Sequence, residues 1–361
     1  MRTLRQALAA SHGIPDDGSP FVIAEMSGNH NQSLDMALAI VDAAAGCGAD
    51  AIKIQTFTPD SMTLNLGTGE FVVTDPKSLW AGRRLFDLYA EAMTPADWHG
   101  PIFERAKARG ILCFSSPFDE AAVDLLESLD APAYKIASFE AVDLPLIARV
   151  AATGKPVIIS TGMATMAEIA EAVDTARAAG CTDLTLLKCT SSYPASPENT
   201  NLMTMPVIGA ATGCPVGLSD HTLGVGVSVA SIALGGSVIE KHFVLDRSAG
   251  GVDSAFSLEP AEFRVLVDEC RRAAQSLGQV HFGGTASEQA GRRKRRSLYI
   301  GADLAAGTVL TPENLRRIRP GSGLAPRHYH QLLGRRVGRD VAAGTPMSWD
   351  LLDPPGNSKG D

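Results

Sequence analysis

Residues 215–243 read PVGLSDHTLGVGVSVASIALGGSVIEKHF, and two apolar runs within them each stop at a polar cluster: Ser219-Asp220-His221 after the first, Glu240-Lys241-His242 after the second. The small-residue segment 225–235 has the length and composition of a crossover helix, and strands joined by a crossover lie parallel with their C-terminal ends together. His221 and His242 are then neighbours at one rim. Two imidazoles converging from adjacent strands, with acids close by, suit a divalent metal ion.

The same pattern, an apolar run ending in polar residues, recurs along the chain. Further runs lie at 21–24, 51–54, 111–114, 133–136, 156–159 and 184–187. Their ends carry Glu25 with Asn29 and His30, Lys53 and Gln55, Ser115 and Ser116, Lys135 with Ser138 and Glu140, Ser160 and Thr161, and Lys188 with Thr190, Ser191 and Tyr193. Two inward lysines on separate strands, Lys53 and Lys135, ringed by hydroxyls, point to a site for a phosphate and a carboxylate. One buried lysine alone also suits a Schiff-base catalyst. A pair of lysines beside a metal pair reads better as an anion cage, and a charge left unpaired in such a place is costly.

Helix-like stretches at 34–46, 96–108, 120–129, 144–153 and 166–179 separate the runs, each with apolar residues near helical spacing. Eight near-continuous apolar strands alternating with helices predict a (β/α)8 TIM barrel, whose reactive residues lie at the C-terminal strand ends. A doubly wound open sheet is the competitor, and eight units favour closure. Residues 57–95 are too many for a simple loop and helix; insertions of this kind at the C-terminal rim usually cover a site.

The barrel is expected over residues 1–280. A polar, Gly-rich linker, 281–296, carries the basic run Arg292-Arg293-Lys294-Arg295-Arg296, which reads as a solvated face or an anion contact. A β-rich module follows over 297–353, with strands at 297–300 and 336–339 and two similar turns, LAAGT at 304–308 and VAAGT at 341–345. So small a unit is marginal alone and needs something to pack on. Residues 354–361 read as a disordered tail.

The net charge of -8 argues against a dedicated nucleic-acid binder. The six cysteines are scattered without a CxxC pair, as expected of reduced thiols in a cytoplasmic protein. There is no run of eighteen apolar residues and hence no expected membrane helix, and the N-terminus lacks a signal-peptide core.

The motifs IAEMSGNHN, IKIQTFTPDSMTLN, CFSSPFD, YKIASFE, ISTGMAT, KCTSSYP, GLSDHTLG and EKHF, followed by IRPGSGL, resemble, in order, those of the sialic acid synthase family of phosphoenolpyruvate-condensing enzymes. FSSPFD, YKIASFE and the segment LWAGRRLFDLYAEAMTPADWH are most similar to the branch that makes pseudaminic acid. The neuraminate branch has Gly-Ser-Gly-Glu where this chain has Ala137-Ser138-Phe139-Glu140.

The resemblance implies a TIM barrel followed by an antifreeze-like (SAF) domain, and a transferase that joins phosphoenolpyruvate to an acetamido-deoxyhexose by C–O cleavage. It also implies a metal dependence served by manganese, magnesium or cobalt, and a domain-swapped homodimer. His221 and His242 match the metal positions. Glu25 is expected to be the catalytic carboxylate, with Glu140 beside it. Lys53, Ser116, Lys135, Ser138, Ser160 and Ser219 match donor-binding positions, as does Ser191, which stands where the neuraminate branch has asparagine. Gln55, Tyr193, Glu140 and Asp253 match positions that meet the acceptor, and Arg319 matches an arginine sent into the neighbouring subunit. An aromatic at Phe139 is expected to favour a 6-deoxy methyl over a hydroxymethyl. N-acetylneuraminate or legionaminate is the alternative product.

Overall fold

The protein is described by a computed structural model over residues 2–12, 14–76 and 78–353. It divides into two compact units, Met1–Gly278 and Gln279–Asp361.

In the larger unit eight parallel strands close into a barrel in sequence order. They are β1 (Phe21–Glu25), β2 (Ala51–Thr56), β3 (Leu112–Pro117), β4 (Tyr134–Ile136), β5 (Val157–Ser160), β6 (Leu184–Cys189), β7 (Val216–Asp220) and β8 (Gly236–His242). Helices follow, several started by side chains that accept orphaned backbone N–H groups. Ser33 caps Leu34–Gly46, Asp119 caps Glu120–Ser128, and Thr165 with Glu168 forms a capping box at Met166–Ala178.

Side chains alternate across each strand, which sorts them into two apolar populations. Val22, Ala24, Ile52, Ile54, Leu218 and Ile239 face outward against the helices. Phe21, Ile23, Ala51, Phe114, Ile158, Leu187 and Val238 fill the barrel interior. Gly217 has no substitute here, because a Cβ would run into the Val238 carbonyl and Leu187. A helix that the sequence reading leaves out, Leu4–His12, packs Leu4 and Leu8 onto this inner cluster. It is pinned by Arg5, which pairs with Asp50 at 2.8 Å and donates to the carbonyls of Pro15, Ser19 and Pro20. The apolar interior thus ends below the level of the strand ends.

The insertion at 57–95 holds the helices Pro59–Met62 and Leu85–Ala92 with a 3-10 turn, Gly69–Phe71, between them. Trp80 within it donates its indole N–H to the Val252 carbonyl at 3.1 Å. The long segment therefore spans to the loop that follows β8.

In the smaller unit β9 (Ser297–Ile300) pairs antiparallel with β10 (Leu315–Ile318). The second strand expected at 336–339 is a correction. That segment forms only single bridges, Arg336 to Val309 and Val337 to Leu352, while Leu315–Ile318 takes the ladder. The two similar turns cap each other reciprocally: Ala306 N–H donates to Asp340 at 2.8 Å and Ala343 N–H donates to Asp303 at 2.7 Å. Leu298, Ile300, Leu310, Leu315, Val337 and Met347 form the unit's own core. Residues 286–294 form a 3-10 helix, and the Arg293 carbonyl accepts from Gly321 N–H at 2.8 Å, so this stretch of the expected linker is ordered. The expected tail, 354–361, lies outside the described residues.

Among the described residues no helix is long and apolar enough to cross a membrane.

Candidate active site

Strand register, more than any single residue, assembles the site. Glu25 stands level with Lys53 on one side and with His242 on the other, and Gln55 is level with Ser116. Ser219 is level with both Cys189 and Glu240. Laterally matched residues of adjacent strands point to the same face. One layer above the apolar interior is therefore polar from β1 round to β8.

The layer holds alternating charges. Lys53 Nζ lies 2.7 Å from Glu25 Oε2 and 3.8 Å from Glu240 Oε1, and Lys135 Nζ lies 3.8 Å from Glu240 Oε2. All four side chains are buried. The amines are thus paired, each against a carboxylate that also faces the cavity. Burial raises the Glu25 carboxyl above its ordinary range, against the pull of the Lys53 ammonium. For Lys53 burial acts to lower the pKa, but Glu240 and Glu25 outweigh it and the group stays cationic. For Lys135 burial wins and the pKa falls, Glu240 opposing. Burial also raises Glu140 and Asp253.

The ring centroids of His221 and His242 lie 5.3 Å apart. The Nδ1–H of His221 can donate to the Thr190 carbonyl at 3.0 Å, an arrangement that leaves Nε2 of the neutral ring free to accept, although, against burial, Cys189 and that carbonyl raise the ring's pKa. His242 Nδ1 is buried without a hydrogen-bond partner and lies 4.0 Å from Asp253 Oδ2. Burial, reinforced by His221, holds the His242 pKa well below its usual value, so the ring is neutral, the form that binds metal. Among the described residues no group of three or more His, Cys, Asp or Glu side chains is arranged to hold an ion. A neutral, unsatisfied imidazole facing a second one fits an ion that draws two ligands from the chain.

A cavity of about 510 Å³ opens over this layer. Glu25, Lys53, Gln55, Lys135, Ser138, Glu140, Ser160, Ser191, Tyr193, Ser219, His221, His242 and Asp253 all line it. Ser138 and Ser191 share a hydrogen bond of 2.7 Å. Gly162, at φ +46°, passes so near that a Cβ would lie 2.6 Å from the Ser138 Cβ. Ser160 Oγ and Glu140 Oε2 are buried without hydrogen-bond partners, as groups awaiting a ligand would be.

Ser116 is outside this lining; it accepts from Lys53 Nζ at 3.1 Å and so positions the amine from behind. Arg319 belongs to the smaller unit, where it is exposed. Phe139 lines the rim but is 57% exposed.

Sequence reasoning gave no role to Glu240, Ser27 or Cys189, all of which line the cavity. Glu240 bridges the two lysines, and its place two residues before His242 on one strand was the signal for it. Ser27 donates to Asp253 and lies 3.2 Å from the Gln55 amide. Cys189 Sγ is 3.9 Å from His221 Nδ1. Also unassigned was the apolar side of the cavity, with Phe57, Leu88, Tyr89 and Phe118 among its residues.

The model of the NeuB family matches residues 40–282 and that of the SAF domain matches 295–353. The chain is 44% identical over 328 residues to a pseudaminic acid synthase of Campylobacter jejuni strain 81-176, covering 91% of this chain and 95% of that protein. It is 41% identical to a pseudaminic acid synthase of Helicobacter pylori strain 26695, covering 92% and 98%. The crystal structure of an N-acetylneuraminic acid synthetase from Leptospira borgpetersenii matches with a TM-score of 0.67 and 31% identity, over 76% of this chain and 90% of that one. With a closed barrel, a charged layer at its strand ends and relatives matched over nearly their full length, the chain belongs to the NeuB family.

Proposed function

We propose that the chain condenses phosphoenolpyruvate with 2,4-diacetamido-2,4,6-trideoxy-L-altrose and water, giving pseudaminic acid and phosphate. The observation that carries the reading is the shared cavity: two lysines and two imidazoles line one space with Glu25, in a chain 44% identical to a protein named for this product.

In this reading Lys53 and Lys135, with Ser138, Ser160, Ser191 and Ser219, hold the donor's phosphate and carboxylate, and Ser116 steadies Lys53. Ser160 Oγ is an unsatisfied donor facing that anion. Gln55, Tyr193, Glu140 and Asp253 orient the acceptor. The methylene carbon of phosphoenolpyruvate attacks the aldehyde carbon, the aldehyde oxygen takes up a proton, and the phosphate-bearing carbon becomes cationic. Glu25, which burial makes a stronger base than an ordinary carboxylate, takes the proton of the water that adds there. The bond from that carbon to the bridging oxygen then breaks while the new hydroxyl loses its proton to become the ketone, so the bridging oxygen leaves with phosphate. A divalent ion held by His221 and His242, manganese or alternatively magnesium or cobalt, supplies Lewis-acid polarisation of the acceptor aldehyde when bound.

Phosphate release with the deoxy acceptor, lost on chelation and restored by manganese, is the expected result. Strong preference for N-acetylmannosamine instead makes the chain a neuraminate synthase. The lowered pKa of Lys135 favours one rival, a Schiff-base aldolase. That rival predicts trapping of pyruvate by borohydride and indifference to chelators.

The active form is proposed to be a domain-swapped homodimer in which Arg319 of one chain reaches the other chain's cavity. Co-refolding the inactive variants Arg319→Ala and Glu25→Gln then restores about a quarter of wild-type activity, since half the dimers are mixed and each of these has one intact site. No recovery contradicts the swap.

A further inference from the structure

The cavity has two unlike sides. Its floor is ionic, with Glu25, Lys53, Lys135 and Glu240 within a few ångströms of one another. Its other side is aromatic: the Phe57 ring meets Tyr89 edge-on at 5.9 Å and Phe118 edge-on at 5.3 Å, and Leu88 is buried in the same lining. Tyr89 and Leu88 come from the insertion helix Leu85–Ala92, and Phe118 from just past β3. These edge-on contacts fix the rings and leave an apolar surface turned to the substrate space.

We infer that this aromatic wall is the specificity element for the acceptor's methyl terminus, selecting a 6-deoxy acetamido sugar over its 6-hydroxy counterpart. The inference rests on the condensation proposed above. The three-carbon donor offers only a phosphate, a carboxylate and a methylene, and the ionic floor meets its charged groups. The acceptor's aldehyde must also approach that floor, which directs its far end to the opposite side. Against the side chains of Phe57, Leu88 and Phe118 a hydroxymethyl loses water without gaining a partner, whereas a methyl loses nothing. Glu140 Oε2, buried and unsatisfied in the same lining, gives the polar group nearest the wall a partner and so sets the register of the sugar along it. Phe139 lines the same cavity but is 57% exposed at its rim, which places the Phe57–Tyr89–Phe118 cluster, more than the residue that the sequence singled out, against a buried methyl.

The test compares kcat/KM for the 6-deoxy acceptor and for the otherwise identical 6-hydroxy sugar, read as phosphate release, in wild type, Phe118→Asn and Phe118→Leu. Wild type is expected to prefer the deoxy sugar by roughly 10- to 200-fold, the range for small groups in an apolar pocket. Phe118→Asn is expected to bring the preference to within a few-fold, while Phe118→Leu keeps most of it. A thermal melt checks that each variant is folded. If Phe118→Asn does not fold, Tyr89→Asn, on the insertion helix rather than beside a barrel strand, takes its place. Equal use of both sugars by wild type overturns the inference, as does an unchanged preference in the folded polar variant. Absence of phosphate release with either sugar in wild type overturns the condensation itself, a separate outcome.

Discussion

Two buried carboxylate–lysine pairs occupy neighbouring strands and differ in almost everything except their chemistry. Lys241 Nζ sits 2.8 Å from Asp220 Oδ2 and also donates to the Thr222 carbonyl. Asp220 in turn accepts from Thr222 N–H at 2.9 Å, from the Thr222 hydroxyl at 2.8 Å and from the Ser228 hydroxyl at 2.6 Å. That pair lies outside the barrel wall, on the strand face turned to the helices, and it is saturated. Glu25 and Lys53, on the inner face, are just as close at 2.7 Å. They are surrounded by a cavity, by a second lysine, by the bridging Glu240 and by the unpartnered Ser160 hydroxyl. A single step along β8, from Lys241 to His242, crosses from one regime to the other. A saturated buried pair fixes structure, and an unsaturated one keeps electrostatic free energy available for a ligand.

The contrast can be broken by exchanging the consequences of two matched substitutions. Lys241→Met leaves Asp220 buried without its counter-ion and is expected to cost about 3–5 kcal/mol of stability in denaturant unfolding. Its remaining folded molecules should turn over normally. Lys53→Met is expected to lower kcat/KM for phosphoenolpyruvate by about 10²–10³, the usual cost of removing one preorganised electrostatic donor. If Lys241→Met abolished turnover in the folded fraction, the distinction between the two pairs would be lost. Glu240→Gln sharpens it: Lys53 and Lys135 lose their shared counter-ion, and KM for the donor should change by about tenfold while Ser116 still holds Lys53 in place.

The smallest effect concerns Glu140. Burial raises its pKa in the folded chain above the ordinary value of 4.5. The folded state therefore holds more protons than the unfolded one in the window above that value, and stability falls as pH rises through it. Glu140→Gln removes the penalty. Its melting temperature is expected to match wild type near pH 4 and to exceed it by about 2–4 °C near pH 7, alongside a loss of activity. A gap that shrinks with rising pH contradicts the assignment.

The eight strands were legible because a strand with both faces covered is an almost continuous apolar run, and the polar residues that end each run stand out. Glu25, Lys53, Lys135 and the two histidines were found in this way. The pairing of Glu25 with Lys53 and the bridging place of Glu240 depend on register between strands far apart in sequence, which no local pattern encodes. Helix Leu4–His12 went unseen because, among its described apolar positions, Leu4 and Leu8 alone meet the barrel's inner cluster. In the smaller unit β10 was missed since Arg316, Arg317 and Ile318 are all exposed, so alternation between two faces never appears. The aromatic wall draws on residues as distant as Phe57 and Phe118 and could be recognised only once they shared a cavity.

In the proposed condensation donor and acceptor meet over one charged layer, and water adds to the donor carbon before phosphate departs. Phosphoenolpyruvate carrying ¹⁸O at its bridging position, turned over with the deoxy acceptor and manganese, reads this directly by mass spectrometry. The label is expected in the released phosphate; label retained in the sugar acid product rules out this route.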